Sequence, residues 1–374
     1  SLLGAGGAAG AGTSSFLRFS LASNLINKNI EKAMMIKSMM FSIIAGASFS
    51  SANAAVTDAG TFVSNLQNGT YSDLQLGNAD LIDLSIAGEE VAFAGSTSQT
   101  NGGLFLNRGS KIKFTGAELV FQNSSATYGG AFYNYQGSAK TSFENKVSFL
   151  NNTATGSGGA VRNDSGVIEF LDMVSFKENT STSTDAKLGG GALMNKGNTQ
   201  FFASAEFIGN QATNNGGAIF NESKLSTQDM SSDNPFSGTI TFSNNSAGNF
   251  GGAIYQESSS ANVNLKNVEF LNNTALAGGA IYNAIGMMTF TNTTFDGNTA
   301  TGTDWGYGGG AVYNKATMTF NGLTEFSNNS ANIAGGAIYN NGGTVTFGDK
   351  ATFTNNSADS DGGAIYNSGG IEFS

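Results

Sequence analysis

The sequence predicts an all-β fold, a right-handed single-stranded parallel β-helix (a solenoid) of about ten coils of about 27 residues each. A glycine-rich motif, GGAIYN at residues 335–340, recurs in ten copies between Gly102 and Gly362, at intervals of 26 to 35 residues. A period in this range is typical of a solenoid, in which each unit buries its apolar face by stacking on its neighbours. Short alternating segments bounded by Gly, Asn and Asp fill each interval, and the 3.6-residue periodicity of helices is missing.

Composition removes several classes of function. The chain has 374 residues and a net charge of −10, and only 12% of its residues are charged, which argues against a nucleic-acid partner because such proteins need a basic patch. Cys and His are both absent. Thiol nucleophiles, disulfides, His-based triads and nearly all zinc sites are therefore excluded, and we expect neither a metal nor a cofactor.

The first part of the chain is interpreted as leader sequence. Residues 1–33 form an upstream segment to which no role is assigned. Residues 34–54 predict a secretory signal peptide, with a basic end at Lys37, an apolar run over residues 39–49 and an A-x-A cleavage site at residues 52–54. The mature protein is expected to start near Ala55 and to leave the cytoplasm.

Residues 55–101 do not yet carry the repeat. A short helix is expected at 61–66, followed by alternating strands around 74–76 and 81–84. Because a solenoid needs an atypical terminal unit over its first open coil, this segment predicts an N-terminal cap. The repeats then occupy residues 102–374.

Each coil is expected to contain three strands. In residues 335–353 they fall at 337–339, 344–347 and 351–353, and turn residues separate them at 341–343, 348–349 and 355–357.

Alternation along these strands predicts which side chains face the core. The fourth motif position, Ile338 in this copy, points inward, and Asn340, two residues later, is expected on the same side of the strand. Stacked at about 4.8 Å, such amides can hydrogen-bond to one another as a ladder. Phe326, followed three residues later by Asn329, marks a second core stack. The paired glycines Gly335 and Gly336 are expected to let the backbone turn with positive φ.

These motifs carry a family resemblance. GGA[ILV] at 335–338, paired with FxxN at 326–329, resembles the repeats of chlamydial-type polymorphic outer membrane proteins, and the resemblance covers residues 102–373. One copy departs from the pattern, because its Asn comes one residue early, at Asn123. The resemblance implies an autotransporter, with a signal peptide, a β-helical passenger that acts as a surface adhesin, and a C-terminal β-barrel in the outer membrane. This sequence ends within a repeat, so the barrel is expected beyond residue 374.

Two features suggest binding. The fifth motif position predicts an outward aromatic stripe, which either recognises sugars or protein surfaces or, as we favour, only stacks ring on ring and shields the backbone. The fifth position is occupied by Tyr133, Arg162, Met194, Phe220, Tyr255, Tyr282, Tyr313, Tyr339 and Tyr366, and the last five are the candidate binding tyrosines.

Two loops also break the period, at 226–237 and at 301–307. The second contains Asp304, the single Trp of the chain, Trp305, and Tyr307. Insertions in repeat proteins often lie on the binding face and an exposed Trp is a common anchor, although either loop alone is also explained as a neutral insertion.

The predicted function is therefore an exported adhesin passenger at the outer membrane or cell surface, or secreted, whose partner is a host-cell surface protein or glycan. One alternative is a polysaccharide lyase or hydrolase. The outward carboxylates Glu206, Glu269 and Glu325 come from alternate coils, about 10 Å apart at about 4.8 Å per coil, which exceeds the separation of glycosidase pairs. We therefore expect no enzyme. The other alternative is a purely structural surface spacer.

Overall fold

The computed structural model describes residues 54–56, 69–70, 74–76, 82–95 and 101–374. The upstream segment 1–33, signal-peptide residues 34–53 and the helix expected at 61–66 lie outside the described residues. The ordered elements of the described part are β-strands. Within this part of the chain, no helix is long and apolar enough to cross a membrane.

The strands stack in parallel, coil upon coil. Ile338 pairs with Val312 on one side and with Ile365 on the other, so equivalent motif positions lie directly above one another. Successive motif copies pair across separations of 26 to 35 residues. The predicted parallel β-solenoid of about ten coils is confirmed.

One sheet of 27 strands winds through three positions of each coil. The first position, which carries the glycine-rich motif, holds the strands Ala54–Val56, Leu74–Leu76, Phe105–Asn107, Phe132–Asn134, Val161–Asn163, Leu193–Asn195, Ile219–Asn221, Val312–Asn314, Ile338–Asn340 and Ile365–Asn367. The second position holds Lys140–Phe143, Val167–Phe170, Asn198–Phe201, Lys224–Thr227, Thr344–Phe347 and Gly370–Phe373. The third holds Gly69–Thr70, Val147–Leu150, Val174–Lys177, Ala205–Ile208, Ile240–Ser243 and Ala351–Thr354.

Five longer strands run through more than one of these positions without a break. Three of them join the second and third positions, namely Ile82–Ala94, Lys111–Gln122 and Thr317–Ser327, and two join all three, namely Ile254–Leu271 and Ile281–Asp296. The described strands of the predicted cap belong to the same stack, since Leu74–Leu76 pairs with Phe105–Asn107 and Ile82–Ala94 with Lys111–Gln122.

A fourth strand in each coil was not predicted. It forms a separate sheet of nine strands. Ser357 was expected in a turn, but it pairs with Ser330 as part of this sheet. Most of these strands contain only two residues, too few for alternation to appear in the sequence. They are Ser125–Tyr128, Thr153–Ser157, Thr180–Ser181, Gln211–Ala212, Ser246–Ala247, Thr274–Ala275, Thr299–Ala300, Ser330–Ala331 and Ser357–Ala358.

The main core lies inside the coils and has the predicted orientation. Ile338 is fully buried, and the Phe326 ring stacks on Phe295 at a centroid distance of 4.6 Å. From Phe121 to Phe353 the centroid distances in this Phe column range from 4.6 to 5.1 Å, which is close to the rise of one coil. Its members are Phe121, Phe149, Phe176, Phe207, Phe242, Phe270, Phe295, Phe326 and Phe353.

The predicted amide ladder is continuous. Asn314 Nδ2 donates to Asn340 Oδ1 at 3.0 Å, and Asn340 Nδ2 donates to Asn367 Oδ1 at 2.8 Å. Gln256 fills one rung and keeps the chain of hydrogen bonds intact, donating to Asn283 at 3.2 Å. The rungs are Asn107, Asn134, Asn163, Asn195, Asn221, Gln256, Asn283, Asn314, Asn340 and Asn367.

A second ladder, which was not predicted, runs along the Asn of FxxN. Asn329 Nδ2 donates to Asn356 Oδ1 at 2.9 Å and also to the carbonyl of Phe295 at 3.0 Å. The residue before each ladder Asn lies in the left-handed region, as Asn328 does with φ of 55°. The Asn-Asn pairs of the repeats thus combine a conformational role with a hydrogen-bonding role.

The two glycines of each pair serve different needs. Gly335 has φ of +65°, as expected, but Gly336 is absent from the left-handed region. A Cβ on Gly336 would lie 2.0 Å from the carbonyl oxygen of Gly363 on the next coil. The expectation of positive φ was therefore wrong for the second glycine, which is required because two backbones pass too close for a side chain.

Candidate functional site

The fifth-position side chains form a second hydrophobic cluster outside the main core, which we call the aromatic face. Tyr255, Tyr282, Tyr313 and Tyr339 retain only 3–8% of their accessible surface, so a solvent-exposed stripe is the wrong description. The cause lies in the segments that precede each glycine pair and fold back over these rings. Side chains packed on the face from such segments include Phe250, Tyr307 and Ile333. The contacts of Phe250 and Ile333 were not predicted.

The rings of the aromatic face stack along the solenoid axis. Tyr282 and Tyr313 have centroids 4.5 Å apart and planes inclined by 5°, and Tyr313 and Tyr339 follow at 4.9 Å and 4°. Tyr366 continues the row at 4.6 Å. This arrangement agrees with the interpretation that the rings stack on one another and shield the backbone. The buried rings contribute apolar area to the coil-to-coil contact, and little of that area is left for a ligand.

Burial also changes the acidity of these tyrosines. Desolvation raises the pKa of Tyr255 and Tyr282 well above the usual value, because the phenolate would be formed in an apolar environment. The Tyr313 hydroxyl accepts a hydrogen bond of 2.6 Å from Asn341 Nδ2. Desolvation also raises the pKa of Glu257, which is hydrogen-bonded to Tyr255.

Towards the N-terminus, Arg162 takes the fifth position between Met194 and Tyr133. The guanidinium lies over the Tyr128 ring at 4.4 Å, forms an ion pair of 2.7 Å with Asp164 and donates to Ser157 Oγ at 2.7 Å. Tyr133 donates its hydroxyl proton to the other oxygen of Asp164 at 2.5 Å. Arg162 is thus occupied by contacts within the protein.

The loop at 301–307 joins an exposed anchor to this buried face. Trp305 is 72% exposed, while Tyr307, two residues later, packs on the aromatic face beside Phe250, with ring centroids 6.1 Å apart. A turn closes the loop, since the Tyr307 N–H donates to the carbonyl of Asp304 at 3.0 Å. Of the predicted binding residues, Trp305 and Asp304 lie at the surface, Tyr307 and Tyr366 are partly buried, and the remaining tyrosines of the stripe are buried.

The loop at 226–237 is held down by its own contacts. Phe236 is 7% exposed and belongs to the main core. Asp229 accepts a hydrogen bond from the Phe236 N–H at 2.8 Å and pairs with Lys266 at 3.1 Å. These two interactions hold the pKa of Asp229 below its usual value. Met230, at 48% exposed, is the large apolar side chain that this loop presents to solvent.

The outward carboxylates of the third strand are separated as expected. Glu206 pairs in register with Thr241, Thr241 with Glu269, and a threonine again stands between Glu269 and Glu325. Glu206 lies 3.6 Å from Lys177. Among the described residues, no group of three or more acidic side chains is arranged so that it could hold a metal ion.

A family model for the Chlamydia polymorphic membrane protein repeat matches seven segments of the chain. Each segment runs from the Phe strand to the amide ladder, as 324–341 does from Phe326 to Asn340, and leaves the second strand of the coil outside. The matched segments are 146–164, 204–222, 239–257, 267–284, 292–315, 324–341 and 350–368. No curated protein and no solved structure matches the chain. These seven repeats supply most of the Phe stack and most of both amide ladders between residues 146 and 368, and this part of the chain therefore belongs to the family defined by the Chlamydia polymorphic membrane protein repeat.

Proposed function

We propose that this chain is the exported, surface-exposed passenger of an autotransporter-type outer membrane protein and that it acts as an adhesin. The repeat family, which is described as a membrane protein family of Chlamydia, supports the location. The signal-peptide pattern at 34–54 supports export. The partner is a host-cell surface protein or glycan.

The observation that carries the binding role is the exposure of Trp305. Trp305 is 72% exposed and so presents a large aromatic surface to solvent, and Trp is among the residue types that most often dominate the energy of a binding interface. The loop is not a loose insertion, because Tyr307 fixes one end of it on the aromatic face. A rigid, aromatic anchor loses little conformational entropy when a partner binds.

The spacing of the third-strand carboxylates does not favour catalysis by these residues. Threonines separate Glu206, Glu269 and Glu325 by one coil each, so neighbours are about 10 Å apart at about 4.8 Å per coil. A hydrolytic pair needs the two groups within about 9.5 Å. A purely structural spacer would explain the ladders and stacks equally well, but it gives no reason for the exposed Trp305.

The test compares the purified chain with its Trp305→Ala variant in binding to cultured host cells. We expect the unaltered chain to bind and the variant to bind at least about tenfold more weakly, as is common for a central aromatic anchor. Leu323→Ala is the matched control, since Leu323 is also exposed, at 49%, but lies away from the loop. Absence of binding to every cell type tested, or equal loss in both variants, would contradict the proposal. Shortening of candidate polysaccharides by the chain would support the enzymatic alternative instead.

A further inference from the structure

The segments before three consecutive glycine pairs, the first of which carries Trp305, lie next to one another and form one surface. Gly308, Ala334 and Asp361 are bridged in register, so the segments that end at these residues lie side by side on neighbouring coils. Tyr307 and Ile333 are partly buried on this surface and pack on the aromatic face. We call the surface formed by residues 303–307, 332–333 and 359–361 the anchor surface.

The anchor surface carries negative charge only. Asp304, Asp359 and Asp361 are all exposed, and residues 299–308, 330–334 and 357–361 contain no Lys or Arg. Within residues 101–374, none of these three carboxylates forms a salt bridge. The half of the solenoid that surrounds this surface also carries a net negative charge. Residues 197–374 contain 13 Asp and Glu against 4 Lys, a net charge of −9, whereas residues 101–196 contain 7 acidic against 9 basic residues, a net charge of +2.

We propose that the anchor surface docks a segment of a partner protein that presents Lys or Arg side chains. This inference rests on the proposed adhesive function, because the partner is taken to be the surface ligand. A cationic side chain is attracted to the face of a Trp ring, and its aliphatic stem covers apolar area such as that of Tyr307 and Ile333. The three carboxylates then pair with further basic residues and steer the partner to the surface.

A neutral glycan is the less suitable occupant. Sugars stack on an exposed ring and use carboxylates as hydrogen-bond acceptors, but they leave the charge of three aspartates uncompensated. The local excess of negative charge contributes to affinity only if the ligand is positive.

The single tryptophan makes the test direct, since all tryptophan fluorescence of the chain comes from Trp305. The probe is an oligo-arginine peptide, titrated into the chain at low salt, with an oligo-glutamate peptide and neutral oligosaccharides as comparisons. We expect a saturable change in Trp305 emission with oligo-arginine, and loss of this response at high salt because the charges are screened.

A charge-matched pair of triple variants separates the anchor surface from the overall charge of the chain. The variant with Asp304→Asn, Asp359→Asn and Asp361→Asn is expected to bind oligo-arginine about tenfold more weakly. The variant with Glu206→Gln, Glu269→Gln and Glu325→Gln removes the same charge from the third-strand face. It should change the affinity by less than about twofold, because those carboxylates lie outside the anchor surface. Equal weakening in both variants, or a response of Trp305 to neutral oligosaccharides alone, would overturn the proposal.

Cell binding then separates this proposal from the adhesive function itself. If the chain binds cells and oligo-arginine fails to compete, adhesion stands and the cationic partner is wrong. If Trp305 responds to oligo-arginine with the expected variant pattern but the chain binds no cells, the docking surface stands and the adhesive function is wrong.

Discussion

Asn298 donates two hydrogen bonds to the same side-chain oxygen of Asn329, one from its backbone N–H at 3.0 Å and one from Nδ2 at 2.9 Å. Asn273 makes the same pair of hydrogen bonds to Asn298. Each amide of this ladder is therefore acceptor for the coil before it and donor to the coil after it, in a fully buried position.

Asn298→Ala should be strongly destabilising. The substitution removes the acceptor of two buried donors on Asn273 and the donor to the Phe270 carbonyl. Each buried group left unsatisfied costs about 1–3 kcal/mol, so we expect a loss of at least about 3 kcal/mol in urea unfolding. Asn332→Ala is the control, because its amide is exposed and makes one hydrogen bond to the Thr301 carbonyl. Similar losses for both variants would show that the ladder adds nothing beyond an ordinary hydrogen bond.

Glu178→Asn should stabilise the protein. Glu178 has φ of 55° at the position where other coils have Asn or Gly, such as Asn151 and Gly209. A left-handed conformation costs an ordinary L-residue about 1–2 kcal/mol, and Asn tolerates it better. We expect a gain of about 0.5–1 kcal/mol and a higher Tm by calorimetry. Glu325→Asn, in a regular strand, should give no gain. A lower Tm for Glu178→Asn would contradict the conformational explanation.

Two buried threonines should be improved by valine. Thr293 and Thr324 pair in register, are 1–3% exposed, and within the described chain their hydroxyls have no hydrogen-bond partner. The neighbouring coil has Val268 at this position, so the extra methyl fits. Replacing either residue by Val should stabilise the protein by about 1 kcal/mol, since a desolvated hydroxyl without a partner is removed.

Replacing Thr141 by Val should have the opposite effect on stability. This side chain is also fully buried, but its hydroxyl donates to Asn134 Oδ1 and accepts from Asn107 Nδ2, both at 3.2 Å. Thr141→Val should therefore destabilise the protein by about 1–3 kcal/mol. Unfolding curves in urea compare the three variants directly, and a common sign for all of them would refute the argument from hydrogen bonding.

The buried tyrosines predict a loss of stability at alkaline pH. Burial raises the folded-state pKa of Tyr255 and Tyr282 above the unfolded value of about 10. Above about pH 10 the unfolded chain releases phenolic protons that the folded chain still holds, so the free energy of unfolding falls as pH rises. Below about pH 10 the phenols are protonated in both states and the contribution is fully present.

Tyr282→Phe should reduce this alkaline loss, because one buried phenol is removed while the ring stack with Tyr313 is kept. Absorbance of phenolate and thermal unfolding between pH 9 and 12 measure the two effects together. Tyrosines that titrate at their ordinary pKa, without loss of structure, would show that the aromatic face is open to solvent.

The sequence by itself determined the repeating part of this protein. Coil length, the inward position of Ile338, the ladder at Asn340 and the stack at Phe326 all follow from period-two alternation and from the recurrence of one residue type at one position. These signals are local and recur in each coil, so a single departure such as Asn123 does not hide the pattern. The second ladder could also have been predicted from the sequence, because the Asn of FxxN recurs as regularly as the Phe.

Only the tertiary structure decided what happens at the surface of the coils. Alternation correctly turned Tyr282 away from the main core, but its burial depends on Phe250 and Tyr307, which reach it from segments on other coils. The burial of the loop residues was likewise decided only by the tertiary structure, since Phe236 is buried in the core and Trp305 is exposed. Direction along a strand is fixed by backbone geometry within a few residues, whereas exposure depends on which neighbouring coil supplies a covering segment, and that is a property of the stacked solenoid as a whole.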